Sequence, residues 1–283
     1  MSVFMDLNLS PSGDQTRLRA LVETAAHLGF STVAINHVFQ PTAKKRQEIP
    51  SPTAVSDLIG GLPVVQGRSR PIRVLNRLTI IMSDAAHFRP AAAEYRGFDL
   101  LAVQPTTDKL FHAACMTYDV DIVCIPVTEK LPFLFKRAPV NGAVDRGVVF
   151  ELSYSAAIRD STLRRYTLAN ANALVEACRG KNVIVSSAAE KPLELRGPND
   201  ITNLALLFGL CEGDAKAAVS SSCRSAVLHA ETRRTASGAI STLRSFSDSS
   251  SQQEAPPAAA GDDPVAKRVK LDPAPHLALP SPE

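Results

Sequence analysis

The chain has 283 residues, of which 45% are apolar, and its formal net charge is +3. This apolar fraction is typical of a globular protein with a sizeable core, and so weak a positive charge does not by itself indicate nucleic-acid binding. The five cysteines form no Cys-x-x-Cys pair, which argues against a disulfide framework and for buried, reduced thiols. We expect neither a signal peptide nor a membrane span, because no apolar stretch has the required length or flanks.

Strand-like and helix-like segments alternate from the N-terminus to residue 243. The first helix is predicted to begin at Asp14, whose side chain can cap it, and to end at Gly29. A later helix is expected to begin at Pro198, because proline is favoured in the first turn. Strand-like apolar runs lie at Val3–Leu9, Thr32–Val38, Leu78–Met82, Leu100–Val103, Ile122–Ile125, Val148–Leu152 and Val183–Val185, with an eighth candidate at Ala226–His229.

This alternation indicates an α/β fold. Seven or eight strands alternating with helices over residues 1–243 predict a TIM-barrel-like (β/α) barrel. A doubly wound open sheet has the same order of elements and is the alternative. Residues 244–283 are rich in Ser, Pro and Ala, and we expect them to form a disordered tail because they cannot bury enough apolar surface to offset chain entropy.

The segment 147–190 is the clearest strand–helix–strand unit of the chain. Its helix is predicted to be capped by Asp160 or Ser161. The carboxyl end of a strand is where α/β folds bind ligands, so we expect a positively charged surface there. The residues behind this expectation are Arg159, Arg164 and Arg165.

The candidates for catalysis and metal binding are weak. Asp6, Asn8, His37 and Asp84 follow the first three strands and could form a metal site, but hydrogen bonding or helix capping explains them better, since asparagine is a poor ligand for a transition metal. Ser186 and Ser187 follow a strand near Glu190, yet no Gly-x-Ser-x-Gly motif surrounds them. A phosphate-binding glycine loop is also missing from the sequence. We therefore predict no catalytic residue, no bound metal and no cofactor.

Clusters of basic residues carry more weight than any of these. Guanidinium groups beside helix N-termini are what a phosphodiester backbone meets in a binding protein, although a single arginine is more often a solvated surface residue. We predict contacts with RNA or with an acidic partner at Arg68, Arg70, Arg73, Arg164, Arg165, Arg196, Arg224 and Arg234.

Two short signals lie in the predicted tail. Lys267, Arg268 and Lys270 stand in the run PVAKRVKLD, which matches the pattern of a nuclear import signal in an extended segment. Serines among acidic residues are candidate phosphorylation sites, and they are Ser249, Ser250 and Ser251.

Several stretches occur together in an order that is specific to one family. They include LVETAAHLGFSTVAINH (21–37), LPVVQGRSRPI (62–72), RLTIIMSD (77–84), KLFHAAC (109–115), VTEKLPFLFKR (127–137), RGVVFELSYSAAIRDSTLRRY (146–166), KNVIVSSAAEKPLELRGPND (181–200) and LLFGLCEGDAKAAVSSSCRSAVLHAETRR (206–234). Residues 1–243 thereby resemble the protein subunit of about thirty kilodaltons that nuclear ribonuclease P and ribonuclease MRP share.

The resemblance implies a TIM-barrel-like fold related to the polymerase-and-histidinol-phosphatase metal hydrolases. In those hydrolases the first strand ends in His-x-His, whereas this chain has Asp6-Leu7-Asn8, and only His37 resembles a retained ligand. This departure argues against a metal site and against an independent hydrolase activity.

The resemblance also implies a function and a set of partners. The family supports a catalytic RNA that removes 5′ leaders from precursor tRNA, and the MRP particle processes ribosomal RNA precursors. The implied partners are ribonuclease P RNA, MRP RNA, the other protein subunits and, through the complex, precursor tRNA, in the nucleus and nucleolus. Two alternatives are a free metal-dependent phosphoesterase that uses Asp6, His37, Asp84 and Glu190, and a nuclear scaffold without RNA contact.

Overall fold

Seven parallel β-strands curve into a barrel, and each strand pairs with the next one along the chain. The computed structural model describes residues 3–10, 13–41, 48–55, 61–90 and 92–235. Strands that are parallel and sequential need a crossover each time, and helices supply most of these crossovers. The strands are β1 (Phe4–Leu9), β2 (Phe30–Phe39), β3 (Arg73–Met82), β4 (Leu100–Pro105), β5 (Ile122–Cys124), β6 (Val149–Ser153) and β7 (Val183–Ser186).

The helices cover the outside of this barrel and one of its ends. Asp14 and Asp160 cap two of them, because each side chain accepts a hydrogen bond from a backbone N–H of the first turn. In the described residues, no helix is both long and apolar enough to cross a bilayer. The α-helices are α1 (Gln15–His27), α2 (Asp108–Met116), α3 (Arg137–Asp145), α4 (Ser155–Arg159), α5 (Ser161–Cys178), α6 (Pro198–Leu207), α7 (Glu212–Ala218) and α8 (Ser221–Arg234).

The barrel closes between β1 and β7 with little backbone pairing. Leu9 and Ala189 form an isolated parallel bridge, and the N–H of Ser10 donates to the Ala189 carbonyl at 3.0 Å. Side chains complete the seam, because the N–H of Ser187 donates to Asp6 Oδ1 at 3.1 Å. The seam therefore depends on polar side chains as well as on the strand ladder.

The last helix, α8, closes the N-terminal end of the barrel. Its buried residues Cys223, Ala226, Val227 and Ala230 pack against the apolar residues that line this half of the barrel interior. Ion pairs hold the helix to the starts of the strands. Two of these pairs involve Asp121, which is fully buried. Its carboxylate accepts hydrogen bonds at 2.8 and 3.0 Å from the Arg233 guanidinium, and His229 Nδ1 lies 2.8 Å from Asp121 Oδ1.

The structure confirms the predicted barrel and the seven predicted strands. The predicted strand at Ala226–His229 is wrong, because these residues belong to α8. A short apolar run does not distinguish a strand from a buried helix face, and here the buried positions repeat at helical spacing. The predicted tail, with its import signal and candidate phosphorylation sites, lies outside the described residues.

Candidate functional site

The half of the barrel interior nearest the carboxyl ends of the strands is polar and holds a buried ion pair. Arg77 on β3 is 0% exposed and Glu151 on β6 is 3% exposed. The guanidinium and the carboxylate face each other in a bidentate pair, with Nη1–Oε1 and Nη2–Oε2 distances of 2.5 Å. Two charges buried so deeply are tolerated only when they are paired and fully hydrogen-bonded.

Arg77 finds further acceptors around the barrel wall. Its Nη1 donates to the Leu7 carbonyl at 2.8 Å, and its Nε donates to Thr79 Oγ1 at 3.0 Å. Its Nη2 also donates to the Cys124 thiol sulfur at 3.0 Å. Every nitrogen of the guanidinium therefore has an acceptor, and these acceptors come from four different strands.

Glu151 connects the ion pair to a chain of neutral polar groups. Ser186 Oγ donates to Glu151 Oε1 at 2.7 Å, and Asn8 Nδ2 donates to the same oxygen at 3.3 Å. Asn36 Nδ2 donates to Asn8 Oδ1 at 2.9 Å, and Thr79 Oγ1 donates to Asn36 Oδ1 at 2.6 Å. We call this set, together with Arg77, the central network; it joins β1, β2, β3, β6 and β7 through side chains.

The ion pair keeps both of its members charged. Burial on its own would raise the pKa of Glu151, but the Arg77 charge and its hydrogen bonds outweigh burial and hold that pKa below its usual range. Burial likewise disfavours the charged form of Arg77, while Glu151 more than compensates and raises the pKa of the guanidinium. The centre of the barrel is thus a fixed, mutually neutralised pair of charges.

Asp6 lies beside this network, at the β1–β7 seam, and is 1% exposed. Its Oδ1 accepts from the N–H groups of Ser187 and Asn8 at 3.1 and 3.2 Å. Its Oδ2 is buried and has no hydrogen-bond partner in the described part of the chain. Burial raises the pKa of Asp6 to about 6, although the Ser187 and Asn8 bonds oppose the rise and the Glu151 charge adds to it.

The histidine of the candidate metal site does not join Asp6 and Asn8. His37 Nε2 lies 3.1 Å from Asn76 Oδ1 and 3.2 Å from Thr53 Oγ1, and its ring packs edge-on against Phe98. Burial lowers the pKa of His37, and the Asn76 bond offsets this only in part. Its neighbour in sequence, Asn36, is the residue that enters the central network, because successive side chains on a strand point to opposite faces.

The other candidate catalytic groups are also engaged in structural contacts. Asp84 caps a short 3-10 turn by accepting from the N–H of Ala86 at 2.8 Å. Ser187 Oγ donates to the Asn8 carbonyl at 3.1 Å, and Glu190 pairs with Arg159 at 3.1 Å. Within the described ranges, no group of three or more His, Cys, Asp or Glu side chains could hold a metal ion. The geometry therefore does not favour the phosphoesterase alternative.

The predicted contact arginines divide between the two ends of the barrel. One set follows β6 and β7 at the carboxyl ends of the strands and comprises Arg164, Arg165 and Arg196. The other set lies before β3, at its first residue or on α8, at the N-terminal ends of the strands, and comprises Arg68, Arg70, Arg73, Arg224 and Arg234. No single surface collects all eight of these residues.

At the carboxyl end, most of the guanidinium groups already have partners. Arg159 donates to both carboxylate oxygens of Glu194 at 2.7 Å, so the charge of this arginine is largely neutralised. Arg164 Nε donates to the Ala157 carbonyl at 2.7 Å. Arg196 Nη1 donates to two carbonyls of its own loop at 2.6 and 2.8 Å. Arg165 is exposed and has no side-chain partner among the described residues.

At the N-terminal end, the arginines are held more loosely. Arg73 Nη2 lies 3.2 Å from Glu231 Oε1, and both side chains are well exposed. Arg234 Nη1 lies 2.8 Å from Asp99 Oδ1. Arg70 and Arg224 are exposed and have no side-chain partner within the described ranges. Exposed pairs of this kind are weak and can exchange partners.

The sequence did not reveal the central network. Arg77 looked like one more basic residue of the arginine-rich stretch before β3, and Glu151 was one acidic residue in an apolar run. A usable signal did exist, because parallel strands covered on both faces are normally continuous apolar runs. A charge inside such a run needs a buried partner of opposite sign, but sequence does not say which residue that partner is.

The fold and this site together define a class of protein: a (β/α) barrel with a buried, hydrogen-bonded ion pair in its interior. A family model described as RNase P subunit p30 matches residues 3–235. The chain belongs to this family.

Individual relatives agree with this assignment. The chain is 58% identical over 275 residues to the ribonuclease P protein subunit p30 of Mus musculus, covering 96% of this chain and 100% of that one. It is 25% identical over 191 residues to the ribonuclease P/MRP protein subunit RPP1 of Saccharomyces cerevisiae, covering 67% and 64%. A chain in a structure of archaeal ribonuclease P with mature tRNA has the same fold, with a TM-score of 0.60, 16% identity, and coverage of 86% and 100%.

Removing either member of the ion pair should destabilise the protein strongly. We expect Glu151→Gln and Arg77→Met each to cost about 3–5 kcal/mol in the free energy of unfolding, because each leaves an uncompensated buried group. The double variant should cost clearly less than the sum of the two. Urea denaturation of all four proteins measures this coupling, and the exposed pair Arg19–Glu23 is a control in which it should stay below about 0.5 kcal/mol. Additive effects at Arg77 and Glu151 would contradict the assignment.

Asp6 should make stability fall as the pH rises from about 4 to about 7. Its pKa is higher in the folded protein, at about 6, than the ordinary value of 3.8, so folding favours the protonated acid and loses that advantage above the folded pKa. Asp6→Asn keeps the Oδ1 acceptor and removes the titration. The free energy of unfolding of this variant relative to wild type should therefore rise by about 1–3 kcal/mol between pH 4.5 and pH 7.5. The exposed Asp119→Asn is the control, and an equal change there would refute the role of Asp6.

Proposed function

We propose that this chain is a non-catalytic protein subunit of the ribonuclease P particle, in which a catalytic RNA removes the 5′ leader from precursor tRNA. The observation that carries the proposal is the match of the family model to residues 3–235, which spans the whole barrel. The central network supports the non-catalytic part, because it uses the polar groups inside the barrel to satisfy one another. The chain then acts through its surface.

We extend the proposal to the ribonuclease MRP particle and the processing of ribosomal RNA precursors. The support is the likeness to a Saccharomyces cerevisiae protein named as a subunit of both particles. The partners would be ribonuclease P RNA, MRP RNA and the other protein subunits, with precursor tRNA reached through the complex. Exposed arginines at both ends of the barrel suit such a role, since guanidinium groups bind phosphates and carboxylates by paired hydrogen bonds.

The proposal is tested by purifying the full-length tagged chain from cells. We expect it to co-purify with ribonuclease P RNA and with an activity that removes 5′ leaders, and that activity should be lost after RNA digestion. Arg164→Ala/Arg165→Ala should reduce incorporation into the particle several-fold, because both residues are exposed at the carboxyl end of the barrel. His37→Ala should leave 5′ leader removal unchanged in intact particles, which a hydrolase using His37 could not do. Leader removal that survives RNA digestion would contradict the proposal.

We also propose that the chain acts in the nucleus and accumulates in the nucleolus. The support is the run containing Lys267, Arg268 and Lys270, together with the particle to which the family belongs. Deleting residues 264–272 should shift a fluorescent fusion towards the cytoplasm, whereas Lys130→Ala in the barrel should not. Unchanged nuclear accumulation of the deletion would show that the run is not the import signal. Mass spectrometry of the purified chain tests the proposed phosphorylation of Ser249, Ser250 and Ser251.

A further inference from the structure

A cavity at the N-terminal end of the barrel has the chemistry of a binding site. Its volume is about 580 Å³, and it opens between the starts of β1 and β2 and the segment that precedes β3. Arg68, Arg70 and Arg73 supply the charge, and Val3, Val65 and Pro71 supply apolar surface. Among the described residues, no Asp or Glu lines this cavity.

The segment that carries the arginines is held firmly in place. Val64 and Pro71 form an antiparallel bridge, and the N–H of Val65 donates to the Arg70 carbonyl at 3.1 Å. The N–H of Gln66 donates to the Ala26 carbonyl of α1 at 2.9 Å, and Gly67 takes a positive φ of 72° that completes the turn. A ligand binding here would not have to order this backbone, which lowers the entropic cost of binding.

Arg70 and Arg73 of this cavity are less neutralised than the arginines of the other basic cavity at this end of the barrel. A second cavity at the same end, of about 540 Å³, is lined by Arg233 and Arg234, but it also contains Asp119. Both of these arginines are already paired, with Asp121 and Asp99. In the first cavity, Arg70 has no side-chain partner within the described ranges, and Arg73 takes part in an exposed pair with Glu231. The first cavity is therefore the better anion site.

The shape and lining fit a nucleotide better than a bare anion. Apolar surface beneath a cationic rim can accept a ribose and the edge of a base, while the guanidinium groups contact the adjoining phosphates. We propose that this cavity binds the ribose-phosphate backbone of the particle's RNA, so that the RNA lies against the N-terminal end of the barrel. The inference rests on the proposed function, because RNA is the polyanion that a subunit of a ribonucleoprotein particle would meet.

The salt dependence of RNA binding tests this proposal. The full-length chain is titrated with in vitro transcribed ribonuclease P RNA at several salt concentrations between about 50 and 200 mM. Arg70→Gln/Arg73→Gln should weaken binding about tenfold or more and lower the salt slope by about one for each lost contact. Arg70→Lys should keep most of the slope. Lys130→Gln, which removes an exposed cation that follows β5 at the opposite end of the barrel, and Glu231→Gln should not weaken binding.

Crosslinking in the assembled particle separates RNA from an acidic protein partner. A photoreactive side chain in place of Ser69, which lines the cavity, should crosslink to RNA, and one in place of the exposed Tyr166 at the other end serves as the comparison. An unchanged salt slope in the double variant, or crosslinking of position 69 to protein alone, would overturn the proposal. If either of these results is found while the wild-type chain still co-purifies with ribonuclease P RNA, only the cavity assignment is wrong. If the wild-type chain does not co-purify with that RNA, the proposed function is wrong as well.

Discussion

The pairing of Arg77 with Glu151 is the interaction on which the rest of the barrel depends. These residues lie on β3 and β6 and meet inside the barrel, where neither can reach water. Removing two charges from water costs several kcal/mol for each ion, and only good geometry with further hydrogen bonds offsets this cost. Those bonds come from Leu7 on β1, Thr79 on β3 itself and Ser186 on β7. The pair therefore ties the positions of several strands to one another.

This constraint is consistent with the proposed role, in which the chain acts through its surface. In many barrels the carboxyl ends of the strands hold the chemistry. Here that region of the interior contains polar groups bonded to one another, and His37 contacts residues outside the central network. At the opposite end, α8 packs into the barrel and leaves a basic rim around it. The two ends of the barrel thus offer different arrangements of charge, which suits a subunit of a ribonucleoprotein particle.

Much of the fold could be predicted, because its signals are local. Asp14 and Asp160 cap helices as expected, Pro198 begins a helix, and the seven strands occur where apolar runs were found. The failures have physical reasons. The run Ala226–His229 is too short for its periodicity to separate a strand from a helix, and it became helical because its buried side chains fill the barrel end. His37 also lies apart from Asp6 and Asn8, because Asn36 is the β2 side chain that reaches Asn8 inside the barrel.

The sequence by itself determined the order of strands and helices through caps and apolar periodicity, and the family through its motifs, because all of these are properties of short stretches. The order of elements left a barrel and an open sheet as alternatives, and the barrel was implied by the family motifs. Only the tertiary structure decided which charges are buried and which are exposed. Arg77 and Arg73 lie four positions apart in one strand, yet Arg77 is fully buried and Arg73 lines a surface cavity. That difference arises from residues far along the chain, since Glu151 and Glu231 become their partners only when the barrel closes.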